Sequence, residues 1–196
     1  MYDYISGNIA ELTPTNLILD NNGIGYQIII SLQTYSKLEG IKDNAKVFVY
    51  HLVKEDLEAL YGFADKNERA IFTQLISVSG IGPNTACIML SSLSVDEIKT
   101  AILSGDVNKI KSVKGIGLKT AQRTILELKD KIGKASTDAS ELLKTNPNSE
   151  IIEEAKSALI LLGFNKSNVE KVISKVLKED KNCKLEDLIK RSLKLL

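Results

Sequence analysis

The apolar positions along this chain change period twice, and the changes divide it. Over residues 1–63, β-branched and aromatic side chains fill short runs at 4–10, 16–20, 25–32, 46–53 and 57–63, each bounded by turn residues. Runs of this kind predict strands, and Asn21-Asn22-Gly23 between the second and third is a tight-hairpin signal. Lys54-Glu55-Asp56 turns the fourth run back into the fifth. Five short antiparallel strands in about sixty residues fit a small closed barrel, for which the OB-fold is the commonest solution.

From residue 65 the period lengthens to that of amphipathic helices. Helices are expected over 66–77, 84–90, 95–103, 107–112 and 119–132. Asp65-x-x-Glu68 and Ser94-x-x-Glu97 mark two of the starts as capping boxes, in which side chains satisfy free N–H groups of the first turn. Between 133 and 149 the apolar period fades. Small and polar residues dominate there, with Pro147 near the end, so 134–149 reads as a flexible linker. A last pattern gives helices over 150–162, 166–178 and 185–195, with Gly163 stopping the first and Asn165 starting the second. A segment of about fifty residues builds only a small core, so nearly every apolar side chain in it should be needed there. The expected architecture is α+β and multidomain: an N-terminal OB-fold β-barrel (1–63), a central all-α domain (64–133), the linker (134–149) and a C-terminal three-helix, UBA-like domain (150–196).

Inside the central domain one motif occurs twice. Residues 75–87 read Leu-Ile-Ser-Val-Ser-Gly-Ile-Gly-Pro-Asn-Thr-Ala-Cys, and residues 110–122 read Ile-Lys-Ser-Val-Lys-Gly-Ile-Gly-Leu-Lys-Thr-Ala-Gln, at a constant offset of 35. This is an internal repeat. Each copy reads as a helix end, a Gly-Ile-Gly turn and a helix start. Glycine suits so short a turn because it takes positive φ and permits close backbone approach, and Pro83 suits a helix start where no N–H is required. Ile81 and Ile116 are expected to plug the gap between the paired helices. The unpaired N–H groups at each helix start carry partial positive charge and suit a phosphate oxygen. A lone Gly-x-Gly between helices is ordinarily only a turn. Two copies with matched flanks, and with Lys114, Lys119 and Arg123 around the second, resemble the helix-hairpin-helix family of DNA-binding modules.

Charge sharpens this picture. The chain carries a net charge of only +1, but residues 1–62 hold 4 Lys against 8 Asp and Glu, while 63–133 hold 10 Lys and Arg against 7. The positive part coincides with the repeat. No run of 18 apolar residues and no basic-then-apolar start is present, so a soluble, cytoplasmic protein is expected. Cys87 and Cys183 are read as reduced thiols without metal-ligand company.

Barrel, doubled hairpin, linker and three-helix tail, in that order, closely resemble the RuvA family of bacterial Holliday-junction recognition proteins over the whole chain. The most specific stretches are Val53-Lys54-Glu55-Asp56 with Leu60-Tyr61-Gly62-Phe63, the two Gly-Ile-Gly hairpins, and the segment 158–164, Ala-Leu-Ile-Leu-Leu-Gly-Phe. The resemblance implies a homotetramer, one or two of which bind four-way junction DNA in an open, square form. It implies recruitment of RuvB, a hexameric ATPase motor, for branch migration in recombination and repair, with the RuvC resolvase as a further partner. Glu55 and Asp56 match the family's acidic pin, where carboxylates near phosphates favour strand separation at the crossover. Gly80, Ile81, Gly82 and Asn84 of the first hairpin, and Lys114, Gly115, Ile116, Gly117, Lys119, Thr120 and Arg123 of the second, match the DNA grip. Asn84 departs from the Lys some members carry there, so the first hairpin should contribute less salt-dependent affinity than the second. Leu159, Leu162, Phe164 and Leu193 match positions that hold RuvB. Each could equally be plain core, and Phe164, just after Gly163, is expected to be the most exposed.

Other chemistry finds little support in the residues. Gly117-Leu118-Lys119-Thr120 lacks the glycine and the preceding strand of a phosphate loop. His51 has no nearby nucleophile, and Glu55-Asp56 has no obvious further metal ligands. No cofactor is implied, and ATP hydrolysis would belong to RuvB. Two rivals stay open. One is a helix-hairpin-helix repair enzyme, a glycosylase or nuclease subunit, using Asp130 or Lys131. The other is a scaffold whose hairpins only pack helices.

Overall fold

Five strands close into a barrel in the computed structural model, which describes residues 2–141, 147–180 and 183–196. Strands β1 (Tyr4–Leu12), β2 (Asn16–Asn21) and β3 (Ile24–Ile30) form a meander, with Asn22 and Gly23 both at positive φ in the β2–β3 turn. A short helix α1 (Leu32–Leu38) then leads to the hairpin of β4 (Ala45–Val53) and β5 (Glu58–Phe63). The closed order is β1-β2-β3-β5-β4, with β3 and β5 parallel and the other pairs antiparallel. That is the OB-type barrel expected, but not wholly antiparallel. The parallel pair is possible because α1 supplies the crossover between β3 and the β4–β5 hairpin. Leu17, Leu19, Ile28, Val47 and Val49 fill the interior. Gly62 is required there, since a Cβ on it would stand 2.5 Å from Ile28 Cγ2 and 2.9 Å from Val47 Cγ1.

Helix α1 is absent from the strand expectation over 25–32. Ser31 ends the strand by capping a helix, its side chain accepting from Thr34 N–H at 3.1 Å, and the β-rich run before it masked that signal.

Helices α2 (Lys66–Ile76), α3 (Pro83–Ser92), α4 (Val95–Ser104), α5 (Val107–Lys111) and α6 (Leu118–Glu141) follow. Ser94 and Glu97 form the full capping box, and the Ser94 N–H, with Lys109 beside it, holds the Glu97 carboxyl at about 2. Asp65 caps α2, but Glu68 does not complete that box. Its side chain is fully buried and turned to the barrel instead, where it accepts from Ser31 Oγ and from Thr34 Oγ1, the latter at 2.9 Å. Burial pushes the Glu68 carboxyl up. Thr34 Oγ1 in turn accepts from Ala64 N–H at 3.1 Å, and Lys37 pairs with Asp65 at 2.6 Å. Arg69 ties α2 to the barrel a second way, donating to the carbonyls of Asp3 and Val49. Leu52, Tyr61 and Phe63 of the barrel share one core with α2–α6. Residues 1–134 therefore fold as one compact unit, and the expected domain edge at 63 is a change of secondary structure inside it.

Two expectations for 134–149 are corrected. Helix α6 runs through Gly133 to Glu141, and α7 (Pro147–Leu161) begins at Pro147. Neither glycine nor proline occurs from 134 to 141, so nothing in that stretch breaks α6, and proline is at ease at a first helical position such as that of α7. The rest of the linker expectation, 142–146, lies outside the described residues. With α8 (Lys166–Glu179) and α9 (Leu185–Leu193), α7 forms the second unit, whose core comprises Ala155, Leu159, Val169, Ile173, Val176, Cys183 and Leu188.

Candidate nucleic-acid interface

The two Gly-Ile-Gly turns are built alike. Gly80 and Gly115 sit at φ of 95° and 91°, where an L side chain is strained. Ile81 and Ile116 are buried in the same core, as expected, and their N–H groups bond to Val78 and Val113 carbonyls at 3.1 Å each. The second glycines differ from expectation. Gly82 is the N-cap of α3 with an extended backbone, φ −85° and ψ 169°, which any residue adopts. A Cβ on Gly82 or on Gly117 would meet nothing within 4 Å. Their glycine identity answers to no atom of the chain, whereas Gly80 and Gly115 answer to the backbone.

Gly82 offers no side chain to cap α3, so the first-turn N–H groups keep the partial charge of an open helix start. Ala86 and Ala121 N–H bond back to the Gly82 and Gly117 carbonyls at 2.9 Å, placing Gly117 in the equivalent position before α6. The turns are near neighbours: the nearest atoms to a Cβ on Gly80 would be Thr120 Cγ2 and Oγ1, both at 3.7 Å.

Their surroundings are unequal. Lys114 and Lys119 are exposed, with no ion pair to any described residue. Arg123 is exposed as well, but its Nε pairs with Glu127 Oε1 at 2.5 Å one turn along α6, so part of its charge is answered internally. In the first hairpin Asn84 is exposed and its Oδ1 accepts from the Tyr61 hydroxyl at 2.8 Å. Asn84 thus fastens the hairpin to the barrel and keeps only its amide N–H groups for an outside ligand. No sequence pattern foretold that bond, because its partners belong to different layers.

Glu55 and Asp56 stand exposed at the β4–β5 turn, closed by a Lys54 N–H to Leu57 carbonyl bond of 2.8 Å. Among the described residues no group of three or more His, Cys, Asp or Glu is placed to hold a metal. His51 pairs with Glu58 at 2.8 Å.

In the C-terminal unit the four singled-out positions separate. Leu159 is fully buried in the core. Phe164 is half-buried against that core, contrary to the expected exposure: Gly163 takes φ 96°, and Phe164 N–H bonds to the Leu159 carbonyl at 3.2 Å, folding the ring back. Leu162 and Leu193 are exposed, at 62% and 41%. Leu161, not singled out, is 87% exposed. Ile152, Ala155 and Leu159 mark the inward stripe of α7, and Leu161 lies two positions off it, a displacement of about half a helical turn that the spacing alone would reveal.

Comparison with known families places the whole chain. Residues 1–62 match the RuvA N-terminal domain, residues 72–130 the SAM-like helix-hairpin-helix tandem, and residues 150–196 the RuvA C-terminal domain. The chain belongs to the RuvA family. Relatives in this family span its full length. It is 51% identical over 199 residues to the protein of Christiangramia forsetii, 46% over 202 to that of Bacteroides fragilis and 43% over 204 to that of Porphyromonas gingivalis, with all of both chains covered in each case. Each of these RuvA relatives bears the name Holliday junction branch migration complex subunit RuvA. No helix among the described residues is long and apolar enough to cross a membrane.

Proposed function

We propose that this chain binds four-way junction DNA as the non-catalytic subunit of a branch migration complex. The observation that carries the reading is the pair of second glycines, Gly82 and Gly117. Both are open to solvent and neither is demanded by the chain's own packing, which is what backbone approach to a phosphate requires. Each hairpin grips phosphates through the N–H groups that follow its turn, and Lys114, Lys119, Thr120 and the remaining donors of Arg123 add contacts at the second. Phosphate contacts position the protein without reading sequence. Selection for a junction comes from opposition: the hairpins attract the arms, while Glu55 and Asp56 repel backbone at the crossover.

The opposition needs several pins around one point, so the active form is a homotetramer, one or two per junction. By the same reading residues 1–63 carry the pin, 64–133 hold DNA, and 150–196 engage the RuvB motor through Leu161, Leu162 and Leu193 rather than through buried Leu159. RuvC is a further partner, and the complex works in the cytoplasm. The glycosylase or nuclease alternative is not favoured, because the full-length relatives carry the name of a branch migration subunit.

A competitive titration of the full chain against a synthetic four-way junction and a duplex of equal length tests this. Junction is expected to win clearly, and Glu55→Gln with Asp56→Asn should keep junction affinity while eroding the preference. Equal affinity of the unaltered protein for both DNAs would refute the proposal.

A further inference from the structure

We propose that the acidic β4–β5 turn is also an apolar wedge, with Val53 and Leu57 covering bases that unstack at the crossover; this rests on the junction-binding reading above. The two side chains are 65% and 47% exposed, side by side with Glu55 and Asp56 in one tight turn. Scattered exposed apolar residues need no explanation, but the register makes these two a pair. Val53 lies opposite Glu58, and Leu52 opposite Ala59, so Val53 shares a face with Glu58. The next pair outward, Lys54 with Leu57, falls on the other face, the one that Leu52 and Ala59 continue into the core. The ribbon therefore runs past the end of its core with an apolar side chain on each face and carboxylates at its apex.

A tip that served only to repel phosphate would have no use for hydrocarbon on both sides. Glu58 could have screened Val53, but its carboxylate is drawn back to His51 at 2.8 Å. Bases at an opened crossover lose stacking partners and expose apolar faces, and apolar side chains inserted at base steps are a general means of holding DNA unstacked. Charge and wedge then have separate roles, in which Glu55 and Asp56 keep the phosphates away while Val53 and Leu57 take the place of the lost stacking.

The test uses the full chain and a four-way junction carrying 2-aminopurine at the crossover, whose fluorescence rises on unstacking. Val53→Thr with Leu57→Gln keeps strand propensity at the first site and alters only exposed side chains. At protein concentrations that saturate the junction, it should lose most of the fluorescence rise. Val53→Ile with Leu57→Met should restore it. An undiminished rise in the Thr/Gln variant overturns the proposal. A fall in solution mass for that variant also overturns it, because the side chains would then be contacts between copies. Failure of the unaltered protein to prefer junction over duplex is read separately, in the competitive titration, and strikes the underlying reading instead.

Discussion

Alanine at the first and second glycines of each hairpin should have opposite signatures. At Gly80 and Gly115, with φ near 90°, a Cβ is strained, and the expected stability loss is about 1–2 kcal/mol per site. At Gly82 and Gly117 the backbone gains no strain and the Cβ meets nothing within 4 Å. The only internal penalty is that alanine caps a helix less well than glycine, about 0.5–1 kcal/mol. Binding should order the sites the other way. A methyl group over the open helix start holds a phosphate oxygen off the N–H groups, and each charge-assisted hydrogen bond lost is worth about 1.5–3 kcal/mol, roughly ten- to a hundredfold in affinity per grip. Thermal unfolding by circular dichroism and junction affinity by fluorescence anisotropy, measured on all four single variants, give the two orderings. Since no charge is removed, the slope of log affinity against log salt should be unchanged for Gly82→Ala and Gly117→Ala. If Gly82→Ala and Gly117→Ala bind junction normally, or if affinity simply tracks melting temperature across the four, the second glycines are not a phosphate grip.

Three further outcomes are expected. Lys119→Ala should lower the salt slope by about one per protomer contact, while Asn84→Lys should raise it and destabilise the fold by about 0.5–1.5 kcal/mol, because the part-buried Tyr61 hydroxyl loses its acceptor; anisotropy over a salt series beside a melt would detect both. Leu159→Ala should cost about 3 kcal/mol, comparable with the whole stability of so small a unit, and protection from hydrogen exchange over 150–196 should collapse; Leu161→Ala should leave protection intact and weaken motor stimulation, and the reverse pattern would return Leu159 to the contact surface. Glu68 has a folded pKa above its ordinary 4.5, so the native state holds a proton that the unfolded chain has released, and stability contributed at this site falls as pH rises through the window above 4.5. Glu68→Gln should flatten that slope and gain relative to the unaltered protein toward neutral pH; a difference in melting temperature that stays constant from pH 4.5 to 7 would show that Glu68 does not titrate there.

Period and punctuation were enough for the elements whose cause is local. Alternating β-branched runs, the Asn-Asn-Gly turn, the Ser94 capping box and the doubled Gly-Ile-Gly each act within a few residues, where backbone sterics and first-turn N–H groups decide the conformation. The exposed Glu55-Asp56 turn and the burial of Ile81 and Ile116 were legible for the same reason. What the residues could not reveal depends on partners distant in the chain. Glu68 reads as half of a capping box until Ser31 and Thr34 arrive from the barrel to claim its carboxylate. Asn84 reads as a missing lysine until Tyr61 supplies a hydroxyl. Phe164 reads as a free aromatic after a helix stop until the left-handed turn at Gly163 lays it against the core. In each case a polar or apolar group has two satisfactory fates, one local and one remote, and only packing chooses between them. The second glycines are the inverse: local rules suggest an internal need, and the folded chain leaves Gly82 and Gly117 without one, exposed to solvent.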